Sequence, residues 1–427
     1  MALAAGALIK RSLSRLIGCR AELFAAASTA RFHSAPETLW QNTVPPLDSA
    51  GSLINRFASL VVGAGPAGLA VATSLLDSAC DPILWVDPHF QSGRLHSYLD
   101  VPSNTKTKLF IQFAEWPQHT ASSAPEAVRH FQDQDPDKGC QLQLAQEMVT
   151  SMTHGLHRDH ADKVCLQRGR VTSMVLEDGL WNINEGRAFA KRAYLATGSH
   201  PRDDSPYPDL QKLDLDDALI PSKLSGLVSS EDTVCVIGSS HSAVLVLMNL
   251  LEMRDGPKVV NLHRSPMKYA KYLTDGTIIL DNTGLKGVAA DWSREKIETQ
   301  HFEQTGRLQR VNISETPQEA VQQAVSACNK IVSAVGFNRN PLPKIVVEGK
   351  QLSSNDIRHD PHSGVIIPDR LFGYGIAFPE KVVDPEYGHT ENNIGLLKFM
   401  KYVRKTCLAR ARTEGSAAGF SVMHRTA

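Results

Sequence analysis

A short apolar run, a turn rich in small residues and a longer apolar stretch follow one another twice in this chain. The first instance is Ala58-Ser59-Leu60-Val61-Val62, then Gly63-Ala64-Gly65-Pro66-Ala67-Gly68. The second is Val234-Cys235-Val236-Ile237, then Gly238-Ser239-Ser240-His241-Ser242-Ala243, beginning 175 positions after Gly63. Each predicts strand, tight turn and helix. Further strands are expected at Pro82–Asp87, Val164–Leu166, Arg170–Leu176, Leu180–Ile183 and Arg192–Leu195, the last running into Ala196-Thr197-Gly198. Val259–Leu262 and Ile331–Phe337 read as strands of the second unit, and Phe372–Ala377 as strand-like. An amphipathic helix is expected from about Asn393, with Leu397, Met400, Val403 and Leu408 on its apolar side. Its basic residues Lys398, Lys401, Arg404, Lys405, Arg410 and Arg412 read as a solvated face, with peripheral membrane or partner contact as the alternative. The fold class is α/β, with two Rossmann-like dinucleotide-binding units.

The residues of the first turn have separate physical tasks. Gly63 permits the tight turn, Gly65 lets the backbone approach a pyrophosphate, and Gly68 lets the helix pack closely on the strand. Pro66 and Ala67 open the helix whose N-terminal amides face the phosphates. Asp87 ends the next strand 19 residues after Gly68, where an acid accepts hydrogen bonds from ribose hydroxyls. The second turn keeps Gly238 but has Ser240 at the middle position and Ala243 at the last, with Ser242 between them. Its following strand ends in His263-Arg264 rather than an acid. Arg264, with Lys268 and Lys271 nearby, can pair with a 2′-phosphate, so NADPH is preferred over NADH.

Composition changes this picture little. Lys+Arg and Asp+Glu are both 45, so nothing calls for a nucleic-acid partner. No run reaches the length needed to cross a bilayer. The seven cysteines include no C-x-x-C pair, leaving neither a dithiol relay nor zinc spacing. His154, His157 and His160 beside Asp159 read as a polar helix face or loop rather than a metal site. The first ~35 residues are basic, rich in Ala and Ser and poor in acids, which predicts a transit peptide and a mitochondrial (matrix) address, with a plastid address or a merely disordered tail as the alternatives.

These residues resemble the two-dinucleotide-binding-domain flavoprotein superfamily, which includes disulfide oxidoreductases, flavin-containing monooxygenases and N-hydroxylases. The carriers are VVGAGPAG with Asp87, Ala196-Thr197-Gly198, VCVIGSSHSA, and Ala334-Val335-Gly336-Phe337 with Asn338-Arg339-Asn340-Pro341, spanning about residues 55–400. The resemblance implies a NAD(P) domain inserted in a discontinuous FAD domain. Its boundaries would be 1–50 for transit peptide and linker, 51–225 for the leading FAD-binding segment, 226–340 for the NAD(P) domain and 341–427 for the returning FAD-binding segment with its helix. It implies cofactor contacts at Val171, Thr197, Gly198, Gly336, Gly375 and Ile394 besides the two turns. The amides near Asn393 and Ile394 would face the flavin pyrimidine, and His389 is a candidate proton donor. The segment Tyr98–Lys106 followed by Phe110–Trp116 is similar to the monooxygenase stretch in which an Asn faces the reacting flavin position. That implies a catalytic role for Asn104, helix capping being the alternative.

Three departures narrow the branch. No cysteine pair follows the first turn, so electrons cannot leave by a dithiol. Gly375 is followed by Ile376 where the superfamily has an acid for the ribityl chain. The F-x-G-x-x-x-H signature is replaced by Leu213–Ala218. The expected function is an FAD enzyme taking hydride from NADPH and passing electrons to oxygen, oxidising nitrogen or sulfur of a small-molecule substrate. The alternatives are a reductase for a quinone or electron-transfer protein, and a flavin-bound scaffold or redox sensor with little turnover.

Overall fold

The structure is a computed structural model that describes residues 55–120 and 123–407. The transit peptide, Leu408, Arg410 and Arg412 lie outside the described residues. The first apolar run is strand β1 (Arg56–Val62), followed by helix α1 (Pro66–Asp77). With β2 (Ile83–Asp87), β3 (Val164–Arg168) and β4 (Ala188–Leu195) it forms a parallel set in the order β3-β2-β1-β4. Leu60, Val61 and Trp85 are fully buried. Strands covered on both faces carry unbroken apolar runs rather than alternation, which is why they stand out in the sequence as runs. Ten of the twelve α1 residues are buried, so this helix is internal. It packs in one core with Met148, Met152 and Leu156 of the helix Leu142–Asp159 and with Met400 and Val403 near the C-terminus.

The chain then leaves for a second sheet and comes back. That sheet contains β5 (Gln211–Leu213), β6 (Thr233–Ile237), β7 (Lys258–His263), β8 (Leu308–Asn312) and β9 (Lys330–Ser333). All its strands are parallel, in the order β5-β9-β6-β7-β8. Helix α2 (His241–Leu251) follows β6. On return, Leu371–Gly373 lies parallel to β4. Leu180–Ile183 pairs antiparallel with β4 and with Ser173–Glu177, so the first sheet is mixed. The outgoing and returning segments pair as an antiparallel ribbon, Ser199–Pro201 with Phe337–Arg339. β5 already pairs into the second sheet.

Two expectations near the C-terminus are corrected. Thr390–Asn393 is a strand paired with Glu380–Val383, so the final helix begins at 396 rather than 393. Its basic residues are also not simply solvated. Lys398 pairs with Asp281 at 2.7 Å, Arg404 with Asp77, and Lys401 lies over the Trp116 ring.

One buried acid ties the second sheet together. Asp232 accepts from Lys330 Nζ (2.8 Å), Asn329 Nδ2 (2.7 Å) and the Ser229 amide (2.7 Å). Burial alone pushes its carboxyl up, but these donors outweigh burial and hold it at about 2, against an ordinary 3.8. A folded value below the unfolded one gives stability that is complete above about pH 4 and lost as pH falls towards 2. Asp232→Asn is expected to cost about 1.5–3 kcal/mol at pH 7 and much less near pH 2, measured by denaturant unfolding. An equal cost at both pH values contradicts this.

Candidate functional site

The first turn is built by two backbone contacts that exclude a side chain. Gly63 has φ +104, and a Cβ there would stand 2.3 Å from Ala196 O; one on Gly68 would stand 1.9 Å from Gly63 O. The fold itself requires both glycines. Gly65 differs, because a Cβ there meets nothing nearer than 3.9 Å, from Gly93 Cα and Ser92 O. Its bareness leaves room beside the N-terminus of α1, where Gly65 is the cap, Pro66 and Ala67 follow, and no side chain caps the amides. Thr197 Oγ1 is buried nearby without a partner, and Gly198 (φ +74) carries the chain past it. Asn340 clamps this strand end, donating to Thr197 O (2.8 Å) and, from its amide, to Gly198 O (3.1 Å). An open amide cradle with an orphaned buried hydroxyl fits a pyrophosphate-bearing ligand.

Asp87 is held by backbone amides on both carboxylate oxygens. Its Oδ2 accepts from the Ala64 amide (2.8 Å) and its Oδ1 from the His89 and Phe90 amides (2.8 and 2.7 Å). It therefore fixes the glycine turn, with lone pairs left over for a ligand hydroxyl. Val171 is buried on the segment between β3 and Ser173. Gly375 (φ +79) comes so near α1 that a Cβ would lie 2.6 Å from the Cβ of Ala67. Ile376 joins an apolar cluster with Ala67, Ala196 and Phe399, so the position of the absent acid is filled by packing.

The second turn repeats the first device. Gly238 has φ +131, and a Cβ there would be 2.5 Å from Ala334 O. Ala243 is buried where the first turn has Gly68, and Ser240 caps α2 with no side-chain bond of its own. Ser242 is half-buried on the first turn of α2. His241, the first helical residue, has a buried Nδ1 without a partner. Burial and the nearby Lys286 push its imidazole down to about 4, so it is neutral at physiological pH. Arg264 is exposed at the end of β7, its carbonyl accepting from Ser314 Oγ at 3.1 Å. Gly336 (φ +106) lies at the start of the returning strand.

The other expected residues lie at the junction of the two units. Asn104 is exposed on the strand Pro102–Lys106. It does not cap the helix Thr107–Glu115, whose cap is Lys106. That lysine sits over the ring of Tyr272 from the second unit. His389 is bound to the buried Glu391 at 3.1 Å rather than free. The Ile394 amide is engaged by Asn282 Oδ1 at 3.2 Å.

Two constellations escape sequence reading. In the first, Arg94, directly after the loop beside Gly65, pairs with Asp216 at 2.7 Å and stacks against Tyr98 and Phe337. Asp216 also accepts from Tyr98 Oη at 2.6 Å. The segment lacking the F-x-G-x-x-x-H signature thus supplies a salt bridge between the units. In the second, Glu391 and Asp384 on the C-terminal hairpin grip the loop 280–286 of the second unit. The His154–His160 row lies along one helix and its C-terminal cap, and among the described residues no group of acids, histidines or cysteines could hold a metal. Cys140, Cys165, Cys235 and Cys328 are buried and outside any disulfide.

Two glycine turns of this construction, one on the parallel strands of a mixed sheet and one on an all-parallel sheet, joined by a ribbon, define a two-dinucleotide-domain flavoprotein fold. No family model matches the chain. It is 38% identical to the Monooxygenase AgnR1 of Paecilomyces divaricatus, over 82% of this chain and 97% of that protein. The chain belongs to this monooxygenase's family. Solved structures with the same fold include OTEMO in an FAD-bound form (TM-score 0.55, 12% identity, 86% of this chain and 85% of that one). Another is DfoA bound to FAD, a cadaverine monooxygenase from Erwinia amylovora (TM-score 0.54, 13% identity, 84% and 95%).

The glycines of the first turn are separable by experiment. In ligand-free protein, Gly68→Ala is expected to cost about 3 kcal/mol or more through overpacking, while Gly65→Ala leaves the melting temperature within about 2 °C. Equal destabilisation by both would refute the distinction between a packing glycine and a ligand glycine.

Proposed function

We propose that the protein is an FAD-dependent monooxygenase that takes hydride from NADPH and oxidises nitrogen or sulfur of a small-molecule substrate with dioxygen. Homology to a monooxygenase across 97% of that protein carries this reading, supported by two glycine turns whose helix N-termini no side chain caps. FAD supplies the redox chemistry when bound, and the protein supplies position and electrostatics. Gly65, the α1 amides, Thr197 and Asp87 would hold it. Ser240, the α2 amides and Arg264 would hold NADPH, the guanidinium answering the 2′-phosphate. Asn104, exposed at the junction, is the candidate hydrogen-bond donor to the reacting oxygen.

Holoprotein consuming NADPH is expected to need oxygen and to speed up with an amine or thioether substrate. A quinone sustaining the same rate without oxygen would overturn the monooxygenase reading in favour of a reductase. Arg264→Ala is expected to raise KM for NADPH about tenfold and leave KM for NADH unchanged. A parallel rise in both would remove Arg264 from the 2′-phosphate. For the N-terminus we propose a mitochondrial address; fusing residues 1–50 to a fluorescent reporter should send it to mitochondria, and a diffuse signal would refute this.

A further inference from the structure

The strongest feature left unused is the grip of the C-terminal hairpin on the loop 280–286. Glu391, with its side chain only 2% exposed, accepts from the Asn282 amide (3.0 Å), Asn282 Nδ2 (3.1 Å) and Thr283 Oγ1 (2.5 Å). Burial pushes its carboxyl up, but these bonds and His389 outweigh burial and keep it ionised. Asp384 anchors the start of the loop by accepting from the Leu280 amide at 2.6 Å. Such charge-assisted bonds from a buried acid hold a loop far more firmly than surface ion pairs do.

What the loop carries gives the grip a purpose. Lys286 closes the loop and is itself only 12% exposed, its ammonium bound to Asp281 O (2.6 Å) and Oδ1 (2.9 Å). Lys286 caps the helix Gly287–Trp292, which packs on α2, Leu285, Ala289 and Ala290 sharing one core with Ala243 and Val244. Burial, with the charge of Lys286, lowers the imidazole of His241, the first residue of α2, whose Nδ1 is buried and unpartnered beside the second glycine turn. The turn thus gathers a helix N-terminus, an imidazole with an unused nitrogen and a fixed cation. All three favour an anionic ligand bearing hydrogen-bonding groups. Yet the acid that fixes the cation's loop belongs to the returning segment of the first unit.

We propose that Glu391 is a positioning residue for the nicotinamide dinucleotide, holding the loop 280–286 so that Lys286 and His241 together complete the second nucleotide site. The inference rests on the reading of that site as the NADPH site. Glu391 itself touches no ligand; it acts through Asn282 and Thr283. The second nucleotide site is then composite, and the returning segment contributes to NADPH affinity as well as to the first unit.

The test uses FAD-loaded full-length protein, with NADP+ binding and steady-state kinetics as readouts. Glu391→Gln is expected to raise the Kd for NADP+ and the KM for NADPH about tenfold, with kcat and flavin content within about twofold of wild type. Thr283→Val, a milder change that removes one donor to Glu391, should shift both constants the same way by a smaller factor. Lys286→Met should match the loss in Glu391→Gln, Lys286→Arg should restore most of the affinity, and the double variant should be no worse than either single one. Additive losses, or affinities unchanged in these variants, would overturn the positioning role while leaving the NADPH site in place. Wild-type protein that binds no NADP+ would overturn both readings.

Discussion

Everything in this molecule is referred to a backbone-to-backbone contact made twice. Where Gly63 meets Ala196, and again where Gly238 meets Ala334, the turn leaving one strand presses on the end of its neighbour, leaving no space for a Cβ. Each contact brings a helix N-terminus to the carboxyl edge of a parallel sheet, where amides without partners collect. In the first turn the same crowding recurs between Gly68 and Gly63. Ala243 relaxes that second demand in the other turn. The geometry is set by sterics of the chain alone, before any ligand arrives.

Ion pairs join the two units alongside the apolar contacts of Val101, Tyr98 and Leu142. Arg94 with Asp216 joins the loop beside the first turn to the second unit. Glu391, Asp384 and Lys398 join the returning segment to the loop 280–286. Several of these groups are half-buried or buried, so each unpaired partner would carry a desolvation cost that the pair avoids. Paired charges hold the units in one arrangement more specifically than a greasy interface would. The ionic contacts add to an apolar seam, in which Val101 joins the second unit's core and Leu142 packs against both cores.

What was legible in the sequence follows from how local each feature is. The central parallel strands are legible because burial on two faces demands unbroken apolar runs such as Leu60-Val61-Val62 and Val234-Cys235-Val236, whereas Gln211–Leu213 and Leu308–Asn312, with polar residues interleaved, carry no such run. The glycine turns were visible because sterics restrict those positions to one residue type. The start of the final helix was misplaced because Thr390–Asn393 is held as a strand by pairing with Glu380–Val383, a contact local propensity does not encode. Lys398 and Arg404 looked solvated because their acids, Asp281 and Asp77, lie far away in sequence. His389 stands out before the last helix, whereas its partner Glu391 carries no local signal, because two of its neighbours come from a loop more than 100 residues earlier. The Arg94–Asp216 bridge left no sequence signal beyond the missing monooxygenase signature it replaces.

The central claim is that one chain holds two different dinucleotides in two like-built turns and passes hydride between them. An anaerobic titration of purified protein with NADPH, followed by flavin absorbance, tests it most directly. The account predicts one tightly bound FAD per chain, bleached completely by one equivalent of NADPH. Protein that carries no flavin, or flavin that stays oxidised in excess NADPH, would contradict it.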